Sequence, residues 1–323
     1  MSENPRSEDP RACLEVGAAC LAQRLLFRSP IHEIPMSPCH DPPSCPLELS
    51  DGVRAGNPPH PRVEGFVNGL GPVRFLVDPG SPWTLLSPAT ARRLGLAPRS
   101  SVIRRDTDGV HQIALVPEVR VRLGGAQERV LTPGISPELR RLESDGLPQA
   151  DGILGHDYLA AFGVRFDFPG RRLTLSPGGW ENDGNNAAQP FELGPPRKPM
   201  ILLPVRINGC SPMTFGLDPG SPATLLAPHC AALCGVDNSV GGGGAALGTE
   251  GAVPIWFGRI RELKAAGWIR ENLTVAIGPF SNPLGDRIGR RLDGLLGLDV
   301  LRDSLLEIDY PRQVLRWTLP APC

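Results

Sequence analysis

Residues 67–88 read VNGLGPVRFLVDPGSPWTLLSP, and residues 207–228 read INGCSPMTFGLDPGSPATLLAP. The offset is 140, and 13 of the 22 positions are identical. A second pair follows in the same order. Residues 151–176 read DGILGHDYLAAFGVRFDFPGRRLTLS and residues 293–318 read DGLLGLDVLRDSLLEIDYPRQVLRWT, offset by 142 with nine of 26 positions identical. Self-similarity kept in order over such a distance is the mark of an internal repeat. It sets the reading of the whole chain as one unit of about 115–120 residues, present twice.

The unit reads as all-β. Asn68-Gly69 and Asn208-Gly209 stand between apolar runs, a strong short-range hairpin signal. The strand after each turn, Val73–Val77 or Met213–Leu217, runs into Asp-Pro-Gly-Ser-Pro. A short helix fits Pro88–Leu94 and Pro228–Leu233, with Pro in the first turn and a Gly just past the end. Alternation over Val119–Leu123 marks a further strand. Phe168–Arg171 and Tyr310–Gln313 are Pro-centred turns of a closing hairpin.

Around the repeat the chain divides as follows. Residues 1–60 are a Pro-rich N-terminal extension, expected to be poorly ordered apart from an amphipathic helix over 12–27. Residues 61–177 form lobe one, 178–199 a linker rich in Gly, Asn and Pro, and 200–320 lobe two. Asp9, Arg11 and Glu15 spoil a signal peptide, which leaves the compartment open with the cytoplasm as default. The 38 Gly and 37 Pro in 323 residues are about twice the ordinary share, which fits a turn-rich fold. A net charge of −1 argues against a nucleic-acid partner, and no apolar run reaches the ~18–20 residues of a membrane span. Eight cysteines include no CxxC pair. Cys39, His40 and Cys45 lack zinc spacing, and His229, Cys230 and Cys234 read as small apolar packing in a helix, so no metal and no other cofactor is expected.

One carboxylate stands out per copy. Asp78 and Asp218 each end an apolar strand and enter a Gly-containing turn. Asp is common in turns for local reasons, but two related lobes about a local two-fold axis can bring equivalent Asp residues face to face. Carboxylates that close share a proton, so that one serves as base towards water and the other as acid towards a carbonyl. Gly80 and Gly220 let the backbone curl so that amides point at the carboxylates, with Ser81 and Ser221 adding hydroxyl donors. Asp151 and Asp293 read as turn caps, and Asp157 and Asp299 as acidic residues near helix starts.

On these residues each copy resembles the retropepsin-like aspartic protease domain. That family's pattern is apolar-apolar-Asp-Thr-Gly-Ala/Ser, then a helix, then apolar-apolar-Gly. Here it reads Leu76-Val77-Asp78-Pro79-Gly80-Ser81 with Ile153-Leu154-Gly155, and Gly216-Leu217-Asp218-Pro219-Gly220-Ser221 with Leu295-Leu296-Gly297. The resemblance implies two β-barrel lobes forming an intramolecular pseudo-dimer, which makes the chain a monomer with a pseudo-two-fold. It implies an aspartic endopeptidase acting on a peptide or protein substrate, with Asp78 and Asp218 as catalytic dyad. It also implies substrate-covering flaps, sought over Asp106–His111 in copy one with Asp108 and Gly109 at the tip, and over Gly241–Gly251 in copy two, where Gly242 and Gly243 belong to a run of four glycines. Both copies depart from the pattern, because Pro79 and Pro219 stand where the family has Thr or Ser and carry neither hydroxyl nor amide donor. Two alternatives follow: a catalytically impaired pseudoprotease that binds peptide or a protein partner, and a scaffold in which the Asp residues only cap turns.

Overall fold

Asn68 and Gly69 have φ of 50° and 77°, and Asn208 and Gly209 have 50° and 80°, the left-handed region that a tight hairpin turn needs at both positions. Each Asn side chain also ties its hairpin to a neighbouring strand. Asn68 Oδ1 accepts from the Arg120 amide at 2.9 Å, and Asn208 Oδ1 from the Arg261 amide at 2.8 Å. The computed structural model describes residues 42–49, 60–106, 109–137, 139, 150–180, 188–236, 243–248, 251–279 and 281–318. The expected helix at 12–27 lies outside the described residues.

Copy one contains β1 (Ser44–Pro46), β2 (Glu48–Leu49), β3 (Pro61–Val67), β4 (Leu70–Val77), β5 (Leu85–Leu86), α1 (Pro88–Arg93), β6 (Ser100–Asp106) and β7 (Gly109–Leu115). It continues with β8 (Val119–Leu123), β9 (Arg129–Leu131), β10 (Gly134–Ile135), β11 (Gly152–Leu154), α2 (His156–Leu159), β12 (Phe162–Asp167) and β13 (Arg172–Pro177). Copy two contains β14 (Gln189–Pro190), β15 (Glu192–Leu193), β16 (Ile201–Ile207), β17 (Met213–Leu217), β18 (Leu225–Leu226), α3 (Pro228–Leu233), β19 (Gly243–Gly248) and β20 (Gly251–Ala265). Then come β21 (Trp268–Ile277), α4 (Ser281–Ile288), β22 (Gly294–Leu296), α5 (Leu298–Leu301), β23 (Leu305–Asp309) and β24 (Val314–Thr318). No helix among the described residues is long and apolar enough to cross a membrane.

Each copy builds its own barrel-like sheet. Lobe one runs β6-β7-β10-β5-β11-β4-β3-β8-β9, with β2 added on β3. Lobe two runs β15-β16-β17-β22-β18-β21-β20-β19, and a further β16–β20 pairing closes the strands between them into a ring. In both, the strand that leads into Asp is parallel to a later strand that ends in Leu and leads into Gly: β4 to β11, and β17 to β22. A parallel pair brings two strand ends to the same place. Accordingly the Asp78 amide donates to Leu154 O at 3.1 Å, and the Asp218 amide to Leu296 O at 3.0 Å.

A third sheet, β1-β13-β12-β23-β24-β14, takes three strands from each copy. At its centre β12 and β23 are antiparallel, with Arg165 opposite Glu307. These two residues hold the same repeat position, so the local two-fold axis passes between them. Arg165 Nε donates to Glu307 Oε1 at 2.6 Å, and Arg316 approaches the other carboxylate oxygen at 3.5 Å. Val63, Phe75 and Leu154 of lobe one, Phe215, Leu217 and Leu296 of lobe two, and Phe166, Leu306 and Ile308 of the shared sheet belong to one buried cluster. Each such side chain stabilises the fold by about 1.5–3 kcal/mol.

Strands also form where none is expected. β1 and β2 fall inside the segment 1–60, and β14 and β15 inside the segment 178–199. The two pairs are repeat counterparts: β1 and β14 cap opposite edges of the shared sheet, while β2 and β15 extend the two lobe sheets. Strands of two or three residues are too short to show periodicity, and Pro46 and Pro190 sit on edges, where a missing amide is tolerated. Leu47 and Phe191 are buried beside them.

Candidate active site

Asp78 leaves β4 and Asp218 leaves β17, each at the point fixed by the parallel pairing. Proline at 79 and 219 offers no amide, so the first donor in each loop is glycine. Gly80 N donates to Asp78 Oδ1 at 2.8 Å, and Gly220 N to Asp218 Oδ1 at 3.0 Å. A Cβ on Gly80 would stand 3.3 Å from Asp78 Oδ1, and one on Gly220 3.2 Å from Asp218 Oδ1. Glycine therefore lets each carboxylate fold back onto the loop. The Ser81 and Ser221 amides donate to Asp78 O and Asp218 O at 3.1 and 3.0 Å. Their hydroxyls do not serve the carboxylates as expected. Ser81 Oγ donates to Trp83 O and Ser221 Oγ to Ala223 O, both at 2.8 Å, because the loop curls its own carbonyls towards them.

Beneath each loop lies a brace that the sequence reading missed. Asp157 Oδ1 accepts from the Thr84 amide at 2.8 Å, the Thr84 hydroxyl at 2.7 Å and the Tyr158 amide at 2.9 Å. Asp299 holds Thr224 and Val300 in a similar way with both oxygens, Oδ1 accepting from the Thr224 hydroxyl and the Val300 amide and Oδ2 from the Thr224 amide. The threonine hydroxyls in turn accept from the Gly155 and Gly297 amides at 3.2 Å. Asp157 and Asp299 thus join the Asp loop to the Leu-Gly turn as well as capping a helix. Burial raises both carboxyls despite these bonds. The available signal was the recurrence of Thr84 with Asp157 and of Thr224 with Asp299.

Asp218 feels the charge of Asp78. Asp218 is pushed up to about 6, first by burial and then by the negative charge of Asp78, against Lys198 and the Gly220 and Ser221 amides. Taken as whole residues, Asp78 and Asp218 are half-buried. Two more residues, His60 and Tyr310, feel the charge of Asp78. Burial, more than the opposing attraction of Asp78 and bond to the Gly220 backbone, lowers His60. The Tyr310 hydroxyl is buried, and burial and the Asp78 charge both raise it. The Tyr310 ring meets His156 edge-on at 5.2 Å and Phe191 at 6.1 Å, and burial lowers His156. His60 and Lys198 lie outside the repeated motifs, so nothing in the sequence points to them.

The expected flap positions fall differently in the two copies. In copy one the β6–β7 hairpin pairs from Ser100 with Leu115 to Asp106 with Gly109, so Gly109 opens β7 beside the turn. Asp108 lies outside the described residues. In copy two the β19–β20 pairing runs from Gly243 with Trp256 to Gly248 with Gly251. Gly243 therefore opens a strand at the end away from the turn, and Gly242 lies outside the described residues. Trp83 packs with Leu85, Ile113 and Leu139.

One His/Cys/Asp cluster occurs among the described residues: His229, Cys230 and Asp293. Arg291 Nε lies 3.0 Å from both His229 Nε2 and Asp293 Oδ1, where its guanidinium already supplies the cation. In lobe one the same place holds Thr90 and Arg93 on Asp151 at 3.1 and 3.0 Å. The second oxygen of each Asp accepts a strand amide, Arg74 N at 2.9 Å or Thr214 N at 2.8 Å. These residues tie helix to strand, a longer-range task than the turn capping expected of Asp151 and Asp293.

A family model described as aspartyl protease matches two stretches of the chain, residues 63–158 and 203–300. Among solved structures, the crystal structure of basic 7S globulin from soybean superposes with a TM-score of 0.51 over 87% of this chain and 95% of that one. Identity between them is 13%, so the likeness is one of fold.

Proposed function

The chain belongs to the aspartyl protease family, and from that premise we propose that it is an aspartic endopeptidase whose Asp78 and Asp218 share one proton and activate water between the lobes. The observation that carries the reading is one loop built twice, with Asp78 Oδ1 and Asp218 Oδ1 each held by its own glycine amide at 2.8 and 3.0 Å; the charge of Asp78 also helps raise Asp218. Two carboxyls that share one proton can act as base and acid together. Asp78, ionised, takes a proton from water as the water oxygen attacks the scissile carbonyl carbon. Asp218, protonated, gives its proton to the carbonyl oxygen. The resulting diol collapses as the C–N bond breaks, the amine nitrogen takes the proton held by Asp78, and Asp218 regains its own from the diol hydroxyl. An extended peptide or protein segment fits such a site by adding backbone hydrogen bonds alongside the hairpins.

The test is cleavage of an unfolded protein and a peptide mixture from acid to neutral pH by wild type, Asp78→Asn and Asp218→Asn. Wild type cleaves, a statine-type inhibitor blocks it, and each single Asn variant is inactive. Cleavage surviving in both variants overturns the reading. A second reading, a peptide binder that does not cut, draws on a specific observation: residues 79 and 219 offer no hydroxyl, and those of Ser81 and Ser221 bond within their own loops. Saturable peptide binding without turnover at any pH favours it.

A further inference from the structure

The residue just before each lobe's first long strand reaches the other lobe's aspartate loop. His60 precedes β3 of lobe one, and a Cβ on Gly220 of lobe two would lie 3.9 Å from His60 Nδ1. Met200 holds the same repeat position before β16, and a Cβ on Gly80 of lobe one would lie 3.7 Å from Met200 Cε. Lys198 Nζ stands 3.7 Å from that same point. The place of Lys198 is built by the backbone. Its amide donates to Pro195 O at 2.7 Å, its carbonyl accepts from Met200 N at 2.8 Å, and Gly194 N closes on Met200 O at 2.9 Å. A side chain on Gly194 would collide with the Lys198 carbonyl. Copy one carries Pro58 at the equivalent position, so the added charge is one-sided.

We infer that Lys198 is a positioning residue whose ammonium, seated against the Gly80 loop, supplies fixed positive charge to the Asp78–Asp218 pair and thereby sets the pH window in which the pair holds a single proton. A pair with one proton carries one negative charge. A cation beside it favours the ionised forms, so both proton losses of the pair move to lower pH. The direction agrees with the opposing action of Lys198 on Asp218. The other groups facing the pair act differently. His60 is lowered by burial, and the nearby charge of Arg62 adds to that; it gains charge only on the acid side. Tyr310 is raised and stays neutral.

The effect on catalysis rests on the peptidase reading, whereas the effect on the carboxyl does not, and the experiment separates them. In full-length protein with 13C-labelled Asp carboxyls, Asp218 is assigned by its loss in Asp218→Asn and titrated in wild type, Lys198→Met, Lys198→Gln and Lys198→Arg. Circular dichroism checks each fold, and Lys198 is half-exposed, so its loss leaves no buried hole. We expect the Asp218 midpoint to rise by about one pH unit or more in the Met and Gln variants and to stay near wild type in the Arg variant. Both limbs of the kcat/KM pH profile move up with it. A midpoint unchanged in the Met and Gln variants overturns the inference. A shifted midpoint in a protein that cleaves nothing overturns the peptidase reading and leaves the role of Lys198 standing.

Discussion

Thr84 and Asp157, 73 residues apart, meet through two hydrogen bonds to one carboxylate oxygen, at 2.8 Å from the amide and 2.7 Å from the hydroxyl. The same pair recurs as Thr224 and Asp299. Each links the loop that carries a candidate catalytic Asp to the turn beside it, so the orientation of that Asp depends on it. Thr84→Val keeps the shape and removes the hydroxyl. Bonds to charged groups contribute about 1.5–3 kcal/mol, so urea denaturation should show a loss of about 2 kcal/mol, and a similar loss for Thr224→Val. No change in either variant would show that the brace is dispensable.

Asp218 binds its proton more tightly in the folded chain, at about 6 against an ordinary 3.8. Its contribution to stability is therefore present below about pH 4 and is lost as pH rises towards 6. Asp218→Asn removes that slope. It should be more stable than wild type at pH 7 by on the order of 2 kcal/mol, with the gap closing towards pH 4. Denaturation midpoints across that range measure it, and parallel curves would contradict the placement of Asp218.

Gly155 and Gly297 approach the loop backbone at Trp83 and Ala223 so closely that an added Cβ would meet carbonyl atoms. Gly155→Ala and Gly297→Ala should each cost about 3 kcal/mol, since backbone cannot yield as a side chain can. Gly216→Ala provides the contrast. Its Cβ would press on the flexible Met200 thioether, and the expected cost is about 1 kcal/mol. Equal costs at all three positions would refute the distinction.

Arg165 is one of two cations on the buried carboxylate of Glu307. Arg165→Met leaves that carboxylate with Arg316 as its remaining ion-pair partner and should cost about 3 kcal/mol, whereas a double variant that swaps the signs, Arg165→Glu with Glu307→Arg, removes the anion from beside Arg316 and should not recover it. Thermal melts of the single and double variants decide the matter, and a double variant restored to wild-type stability would show that Arg316 does not depend on Glu307.

The sequence made the duplication, the hairpins and the recurring aspartate loops legible, because Asn-Gly turns and Asp-Pro-Gly-Ser-Pro loops are local and occur twice. It was silent where function depends on approach in space. Lys198 and His60 stand in non-repeated lead-ins, and their nearness to Gly80 and Gly220 follows from the way the lobes meet. The short edge strands β1, β2, β14 and β15 were invisible for lack of period. Asp157 and Asp299 were misread as local because their partners lie more than 70 residues away. In copy two the range 241–251 includes the turn between Gly248 and Gly251, while Gly243 of the glycine run pairs with Trp256 at the other end of the hairpin.

The residues at positions 165 and 307 share one place in the repeat and face each other across the axis. Were two identical copies to associate, that residue would confront itself, cation against cation or anion against anion. Carrying both copies on one chain lets them hold opposite signs, so each half is a welcome neighbour for the other and a poor one for its own kind. Mismatched assembly between separate molecules, in which like halves trade places, is thereby disfavoured at the centre of the shared sheet.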